Sequence, residues 1–193
     1  MTLKYDQKQN STIDAHASRR RFLQIGLGAT AGLIMPNAFA DLLIQPERKL
    51  SLHNLHTGES IKTTYWAEGQ YQTSELHAIN RVLRDHRTGD VIDMDHELID
   101  LLNILHHKMN GRKPFHVISG YRSPKTNESL RKQTSGVAKK SLHMQGQAID
   151  IRLPGRELAA LRKAAIDLQA GGVGFYPKSD FIHVDTGRVR HWG

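Results

Sequence analysis

His-Met-Gln-Gly-Gln-Ala-Ile-Asp occupies positions 143–150, and the rest of the fold can be built outward from this stretch. Gly146 lets the chain reverse direction, and the β-prone run 148–153 predicts a strand directly after the turn. A loop that leads into a strand can hold the imidazole of His143 beside the carboxylate of Asp150. The stretch therefore predicts a turn-and-strand unit that carries two side chains of the metal-binding type.

The periodicity of apolar residues on both sides of this unit predicts further strands and helices. The patterns indicate a hairpin at 49–66, helices capped by Thr73 or Ser74, by Asp95 and by Ser123 with Pro124 after it, a helix from Glu157, and strands at 115–119, 173–176 and 181–184. Short strands mixed with helices in this order favour an α+β fold, with helices packed on a small, mostly antiparallel sheet.

The first forty residues have the composition of an export signal. Ser-Arg-Arg-Arg-Phe-Leu at 18–23 precedes an apolar, glycine-rich stretch at 25–35 and an Ala-Phe-Ala processing site at 38–40. This order resembles a twin-arginine signal, a type that carries folded proteins. We therefore expect a signal at 1–40, a mature domain at 41–193, a periplasmic location and no stable membrane insertion once the signal is removed. The alternative is a buried or amphipathic N-terminal helix, which Pro36 and the glycines oppose.

Charge and cysteine content limit the classes of function. The formal charge is +8, and the 22 basic and 17 acidic residues from Asp41 onward leave +5 for the mature chain. This charge suits an anionic polymer such as cell wall, a membrane surface or nucleic acid. Export disfavours nucleic acid, so a basic DNA-binding protein requires the signal prediction to be false. The absence of cysteine excludes disulfides, thiolate zinc sites and cysteine nucleophiles.

A second group of polar residues follows thirty residues later, where Asp-Phe-Ile-His-Val-Asp occupies 180–185. His183 lies on a predicted strand and could join His143 and Asp150. Two histidines and one carboxylate leave a fourth coordination position open, which is the ligand set of catalytic zinc sites. The alternative for each residue alone is a hydrogen-bonded histidine in the core or on the surface, or an aspartate that forms a turn.

The residues Ser141, His143, Gly146, Ala148 and Asp150 resemble the signature of the zinc D-Ala-D-Ala and murein peptidases, which are grouped with the hedgehog-like fold. The Asp-x-x-His string at 180–183 is similar to the acid-x-x-His element of that group. The likeness to its murein endopeptidase branch extends over the mature chain, in the strings at 55–59, 118–123, 136–141, 171–174, 183–187 and 190–192.

This resemblance implies one zinc ion held by His143, Asp150 and His183. It assigns the general base to Asp180, the acid of the acid-x-x-His element. Asp185 is the rival base, because residues two apart on a strand share a face and Asp185 therefore points the same way as His183. Asp185 could instead be the carboxylate that orients His183.

Arg122 corresponds to an arginine that related peptidases direct at the oxyanion or at a substrate carboxylate. The alternative is a structural arginine that ties its loop to a carboxylate. The function implied is hydrolysis of peptide crosslinks in peptidoglycan, between two diaminopimelate residues, during cell wall growth and remodelling. Two alternatives stay open: a wall peptidase of the D,D or L-Ala-D-Glu type, and a non-catalytic, zinc-containing module that binds peptidoglycan.

Overall fold

A computed structural model describes residues 45–134 and 136–193, so the signal expected at 1–40 lies outside the described residues. The described chain contains eight strands, four helices and two short 3₁₀ turns. They are β1 (Glu47–Asn54), β2 (Ser60–Ala67), β3 (Gln70–Tyr71), α1 (Thr73–Val82), α2 (His96–Lys108), β4 (Phe115–Ser119), α3 (Pro124–Gln133), the 3₁₀ turn Leu142–Gln145, β5 (Ala148–Arg152), α4 (Leu158–Asp167), β6 (Gly172–Tyr176), the 3₁₀ turn Pro177–Ser179, β7 (Phe181–Asp185) and β8 (Arg190–Trp192). The α+β prediction is confirmed.

The strands form one sheet in the order β3-β2-β1-β4-β5-β7-β6-β8. The neighbours are antiparallel, except for the parallel pairs β1–β4 and β6–β8. The sheet is therefore mostly antiparallel, as the pattern predicted. The predicted hairpin is the pair β1 and β2, joined at residues 55–59.

The two faces of the central strands differ in character. Ile149 and Ile151 on β5 are fully buried in a core that also contains Leu98 and Leu102 of α2. Because side chains alternate along a strand, Asp150 between the two isoleucines points to the opposite face. The hydrophobic core thus fixes which face of the sheet carries the polar residues. Among the described residues, no helix is long and apolar enough to cross a bilayer.

Helix starts show where local sequence signals succeed and where one fails. Asp95 accepts a hydrogen bond from the Glu97 N–H at 3.0 Å, and Ser123 caps α3, so both predicted caps are confirmed. The prediction that Thr73 or Ser74 caps α1 is wrong, because the N-cap is Gln72, whose backbone carbonyl already accepts the first bonds of the helix. The N–H of Gln72 donates to the carbonyl oxygen of Tyr65 on β2 at 2.9 Å, which ties the residue before Thr73 to the sheet.

The prediction missed the two edge strands. Strands β3 and β8 are two and three residues long, which is too short for an alternating pattern to be visible. Their positions come from tertiary contacts: β3 continues the β2 hairpin, and β8 lies parallel to β6.

Candidate metal centre

Three side chains predicted as ligands converge on the polar face of the sheet. His183 Nδ1 lies 2.9 Å from Asp150 Oδ1, and His143 Nε2 lies 3.2 Å from His183 Nδ1 and 3.3 Å from Asp150 Oδ1. A tetrahedral zinc ion with bonds of about 2.0–2.1 Å keeps its ligand atoms about 3.4 Å apart. The three atoms therefore fit one such ion after shifts of a few tenths of an ångström. We call this group the His-Asp-His cluster.

Strand pairing places two members of the His-Asp-His cluster side by side. Asp150 on β5 and His183 on β7 are directly opposite each other in the antiparallel ladder. His143 comes from the 3₁₀ turn, which ends at Gly146 with φ of 69°. A Cβ at Gly146 would lie 2.8 Å from the backbone oxygen of Asp93, so the turn needs glycine for both its conformation and its packing.

Hydrogen bonds at the far nitrogens fix the tautomers of both imidazoles. His143 Nδ1 lies 2.8 Å from the carbonyl oxygen of Gly120, which can only accept, so Nδ1 carries the proton and Nε2 presents a lone pair. His183 Nε2 donates to Asp185 Oδ2 at 2.9 Å, which directs Nδ1 at Asp150 Oδ1, so that the neutral ring has its lone pair on Nδ1 and the protonated ring donates from Nδ1 to Asp150. Both rings are therefore oriented for coordination before any ion binds.

Asp185 is fully buried behind His183. Its Oδ1 accepts from the N–H groups of Gly172 at 3.0 Å and Gly187 at 2.9 Å, and Arg190 adds bonds of 3.0 Å to Oδ1 and 2.7 Å to Oδ2. Burial raises the pKa of Asp185, but these bonds and the one from His183 outweigh it and hold the pKa well below its usual range. A carboxylate with both oxygens engaged in this way is suited to orienting His183 and poorly suited to accepting a proton from water.

The electrostatics of the cluster favour a cation. Burial raises the pKa of Asp150, yet the two imidazoles outweigh burial and hold this pKa well below its usual range. Burial lowers the pKa of His183, but Asp150 and Asp185 outweigh it and raise the pKa above 6.5. Without an ion the site therefore favours a proton on His183, which a bound metal would replace.

Arg122 lies beside the cluster. Its Nη2 atom is 3.6 Å from Asp150 Oδ2 and 3.5 Å from Ser119 Oγ, and only 13% of its side chain is exposed. Burial lowers the pKa of Arg122, and the charge of Asp150 opposes that shift. The buried Nε atom has no hydrogen-bond partner among the described residues. Arg122 therefore has donor capacity left for a ligand next to the cluster.

Asp180 stands apart from the other predicted site residues. It follows the second 3₁₀ turn with φ of 53°, its side chain is 61% exposed, and its Oδ2 pairs with Arg152 Nη1 at 2.7 Å. Among the described residues, it is not one of those that line the cleft around the cluster. The structure thus brings Asp185 and Arg122 into contact with the cluster, whereas the side-chain contact that it shows for Asp180 is with Arg152.

Glycine on β6 makes room for aromatic side chains that line the cleft beside the cluster. A Cβ at Gly174 would lie 2.7 Å from the ring of Trp192 on β8, a contact that real Cβ atoms do not make. The Trp192 ring lies 5.3 Å from the ring of His183, and its Nε1 donates to the hydroxyl of Tyr176 at 3.0 Å. In the sequence, the Gly-Gly-Val-Gly string at 171–174 is the feature that could have indicated a bulky side chain packed against this strand.

The cluster forms the floor of an open cleft with a volume of about 480 Å³. One wall is formed by residues 136–138 and 140–142, and the other includes Tyr176, Phe181 and Trp192. A buried set of two imidazoles and one carboxylate at the base of a cleft is the arrangement of catalytic zinc sites. The fold and the site together therefore define a candidate metallohydrolase.

Comparisons with known proteins identify the family. Residues 44–192 match the family described as Peptidase_M15_2, peptidoglycan L,D-endopeptidase MepK. The peptidoglycan L,D-endopeptidase MepK of Escherichia coli (strain K12) is 46% identical over 177 residues, which cover 91% of this chain and 97% of that protein. The "Probable peptidoglycan L,D-endopeptidase MepK" of Haemophilus influenzae is 37% identical over 177 residues, covering 91% and 95%. The chain belongs to the MepK family of peptidases, which confirms the resemblance found in the sequence.

Proposed function

We propose that this protein is a zinc-dependent endopeptidase that hydrolyses peptide crosslinks of peptidoglycan during growth and remodelling of the cell wall. The observation that carries the proposal is the His-Asp-His cluster, whose three ligand atoms lie 2.9–3.3 Å apart at the floor of an open cleft. Membership of a peptidase family supports the reaction class, and the names of the relatives support an L,D bond in peptidoglycan.

In this proposal His143, Asp150 and His183 hold one zinc ion. When bound, zinc supplies a Lewis acid that polarises the scissile carbonyl and lowers the pKa of a water molecule. The remaining residues act through their own groups. Asp185 keeps the proton of His183 on Nε2, so that Nδ1 stays available to the ion.

Arg122 is the residue that we assign to the developing oxyanion. Its guanidinium lies 3.6 Å from the Asp150 carboxylate, so its spare donors are within reach of a carbonyl oxygen at the cluster. A fixed positive charge in a mostly buried position stabilises such an oxygen more than it would in water.

Asp180 is the proposed general base. Its side chain is 61% exposed, so its surface ion pair with Arg152 can open and let the carboxylate turn towards a bound substrate. We prefer Asp180 to Asp185 because both Asp185 oxygens already accept hydrogen bonds.

Three finer assignments belong to the same proposal. Residues 1–40 act as a twin-arginine signal, which places the mature domain 41–193 in the periplasm. The domain is a variant of the hedgehog-like zinc peptidase fold. The bond cleaved joins two diaminopimelate residues, which matches the L,D description of the relatives because each diaminopimelate has one L and one D centre.

The test is to incubate the purified protein with crosslinked muropeptides, with and without a chelator, and to separate the products. We expect cleavage that the chelator abolishes and added zinc restores, and no cleavage by His143→Ala. The matched control is His77→Ala, which removes an exposed histidine on α1. If the zinc-replete protein binds the muropeptides without cleaving them, the protein is a non-catalytic wall-binding module.

Bond specificity needs a second experiment. Three muropeptides are compared: one crosslinked between two diaminopimelates, one crosslinked from D-Ala to diaminopimelate, and one uncrosslinked with an intact L-Ala-D-Glu bond. We expect product from the first alone. Product from either of the others would assign the protein to a different type of wall peptidase.

A further inference from the structure

The charged residues that line the cleft are unbalanced. Among the described lining residues Asp150 is the only carboxylate, whereas three are permanent cations: Arg122, Lys140 and Arg190. Asp150 is already committed to the two imidazoles of the cluster. The cleft therefore offers positive charge to an anionic group of whatever binds in it.

The three cations are not equally available. Arg190 forms a two-point ion pair with the buried Asp185 and lies over the Trp192 ring. Arg122 lies 3.6 Å from Asp150. Lys140 is exposed, and among the described residues it forms no hydrogen bond or ion pair. Lys140 is thus the lining cation with a free ammonium group.

The positions of Arg122 and Lys140 suit two different groups of a substrate. Arg122 is in contact distance of a proposed metal ligand, so it is placed for the carbonyl oxygen that reacts. Lys140 lies on the wall formed by residues 136–138 and 140–142, one residue before the buried Ser141 and three before His143. Because Lys140 lines the same cleft as the cluster and has a flexible side chain, its ammonium group is available to a substrate group other than the reacting carbonyl.

The proposed substrate has an anion at such a distance. When the amine of a D centre of diaminopimelate forms the crosslink, the same carbon keeps its own carboxylate, three bonds from the carbonyl carbon that is attacked. Resting on the function proposed above, we propose that Lys140 binds this carboxylate and selects crosslinks that carry it in the free acid form.

The test combines two substitutions with two substrates. Lys140→Gln and its neighbour Lys139→Gln remove the same charge, but Lys139 is exposed and does not line the cleft. The substrates are the diaminopimelate-crosslinked muropeptide and its analogue with that one carboxylate converted to a carboxamide. The measurement is kcat/KM for each protein on each substrate, together with calorimetric titration of both muropeptides.

We expect wild type to prefer the free acid by about tenfold or more, as a hydrogen bond between charged groups would give. Lys140→Gln should lose that preference through a higher KM for the free acid, while its kcat/KM for the carboxamide stays the same. Lys139→Gln should behave as wild type on both substrates. Equal losses on both substrates by Lys140→Gln, or no loss at all, would overturn the assignment.

Titration separates this proposal from the function on which it rests. If wild type cleaves neither muropeptide but binds the free acid more tightly, and Lys140→Gln removes that preference, the peptidase proposal fails and the role of Lys140 stands. If wild type cleaves both muropeptides and binds them equally, the role of Lys140 fails and the peptidase proposal stands.

Discussion

The Nε2 atom of His183 lies 2.9 Å from Oδ2 of Asp185, two residues further along the same strand. The pairing is possible because alternate residues of β7 share a face, and because glycine at 172 leaves room for the carboxylate. Asp185 is itself held by Arg190 and two backbone N–H groups, so the imidazole is oriented by a group that cannot easily move.

We predict that Asp185→Asn weakens zinc binding by about 10–100-fold, because the amide no longer holds His183 in its tautomer as a carboxylate does. Competition with a chromogenic chelator measures the change. The control is Asp167→Asn, an exposed aspartate on α4 whose ion pair with Lys163 contributes little. Unchanged zinc affinity in Asp185→Asn would show that the 2.9 Å contact does not orient the ligand.

Asp180→Asn should slow the reaction without changing zinc binding. We expect kcat to fall by about 10²–10⁴-fold, the usual contribution of a general base, while zinc content and zinc affinity stay at the wild-type level. The rate of cleavage of a crosslinked muropeptide gives kcat, and metal analysis of the same preparation gives the zinc content. If Asp180→Asn keeps its kcat, Asp180 is not the general base.

The pKa of His183 predicts how pH acts on the metal-free protein. Its pKa is raised above 6.5 in the folded state, chiefly by Asp150 and Asp185 against the effect of burial. The protonated ring therefore stabilises the fold fully below pH about 6.5, and this contribution is lost as the pH rises through the folded-state value. Zinc needs the neutral ring, so zinc affinity should rise over the same range, with release of a proton.

The measurement is denaturant unfolding of metal-free wild type and His183→Gln between pH 5.5 and 8.5. Burial lowers the pKa values of His86 and His116, so these two residues give the opposite slope in both proteins. The difference between the two proteins isolates His183. A difference that does not shrink as the pH rises would contradict the prediction.

The N-caps of two helices can be tested by their effect on the free energy of unfolding. Ser123 accepts a hydrogen bond from the Thr126 N–H at 3.2 Å, so Ser123→Ala should cost about 1 kcal/mol of unfolding free energy. Thr73 has no capping bond because Gln72 is the N-cap of α1. Thr73→Ala should therefore leave the stability unchanged or slightly raise it, since alanine is the better helix former. Equal losses in urea unfolding would contradict this difference.

The sequence predicts the convergence of His143, Asp150 and His183 because local structure fixes the position of each residue. Gly146 marks the turn that carries His143, and period-two patterns mark the strands that carry Asp150 and His183. Pairing of those strands then follows from the buried isoleucines on their other face. The sequence indicated Asp185 as a partner of His183, but it could not show the groups that hold the loop of Arg122, because their contacts join segments that carry no common pattern.

Asp85 is the clearest of these hidden groups. It is almost fully buried, and its carboxylate accepts from the backbone N–H groups of Ser123 at 2.8 Å and Arg87 at 2.9 Å. Burial raises its pKa, but these bonds and one from Thr126 outweigh it and hold the pKa well below its usual range. Asp85 thus anchors the residue next to Arg122, although nothing in its sequence neighbourhood points to such a role.

We therefore predict that Asp85→Asn lowers both stability and activity. The lost hydrogen bonds should cost about 1–3 kcal/mol, and activity should fall because the Arg122 loop loses its anchor, while zinc affinity is unchanged.

The matched control is Asp100→Asn, which breaks another buried network, with Arg48, Tyr65 and Tyr71, and should cost stability alone. In an Arg122→Gln background Asp85→Asn should reduce activity no further, because its effect acts through the arginine. Additive losses of activity in that double variant would show that Asp85 does not act by positioning Arg122.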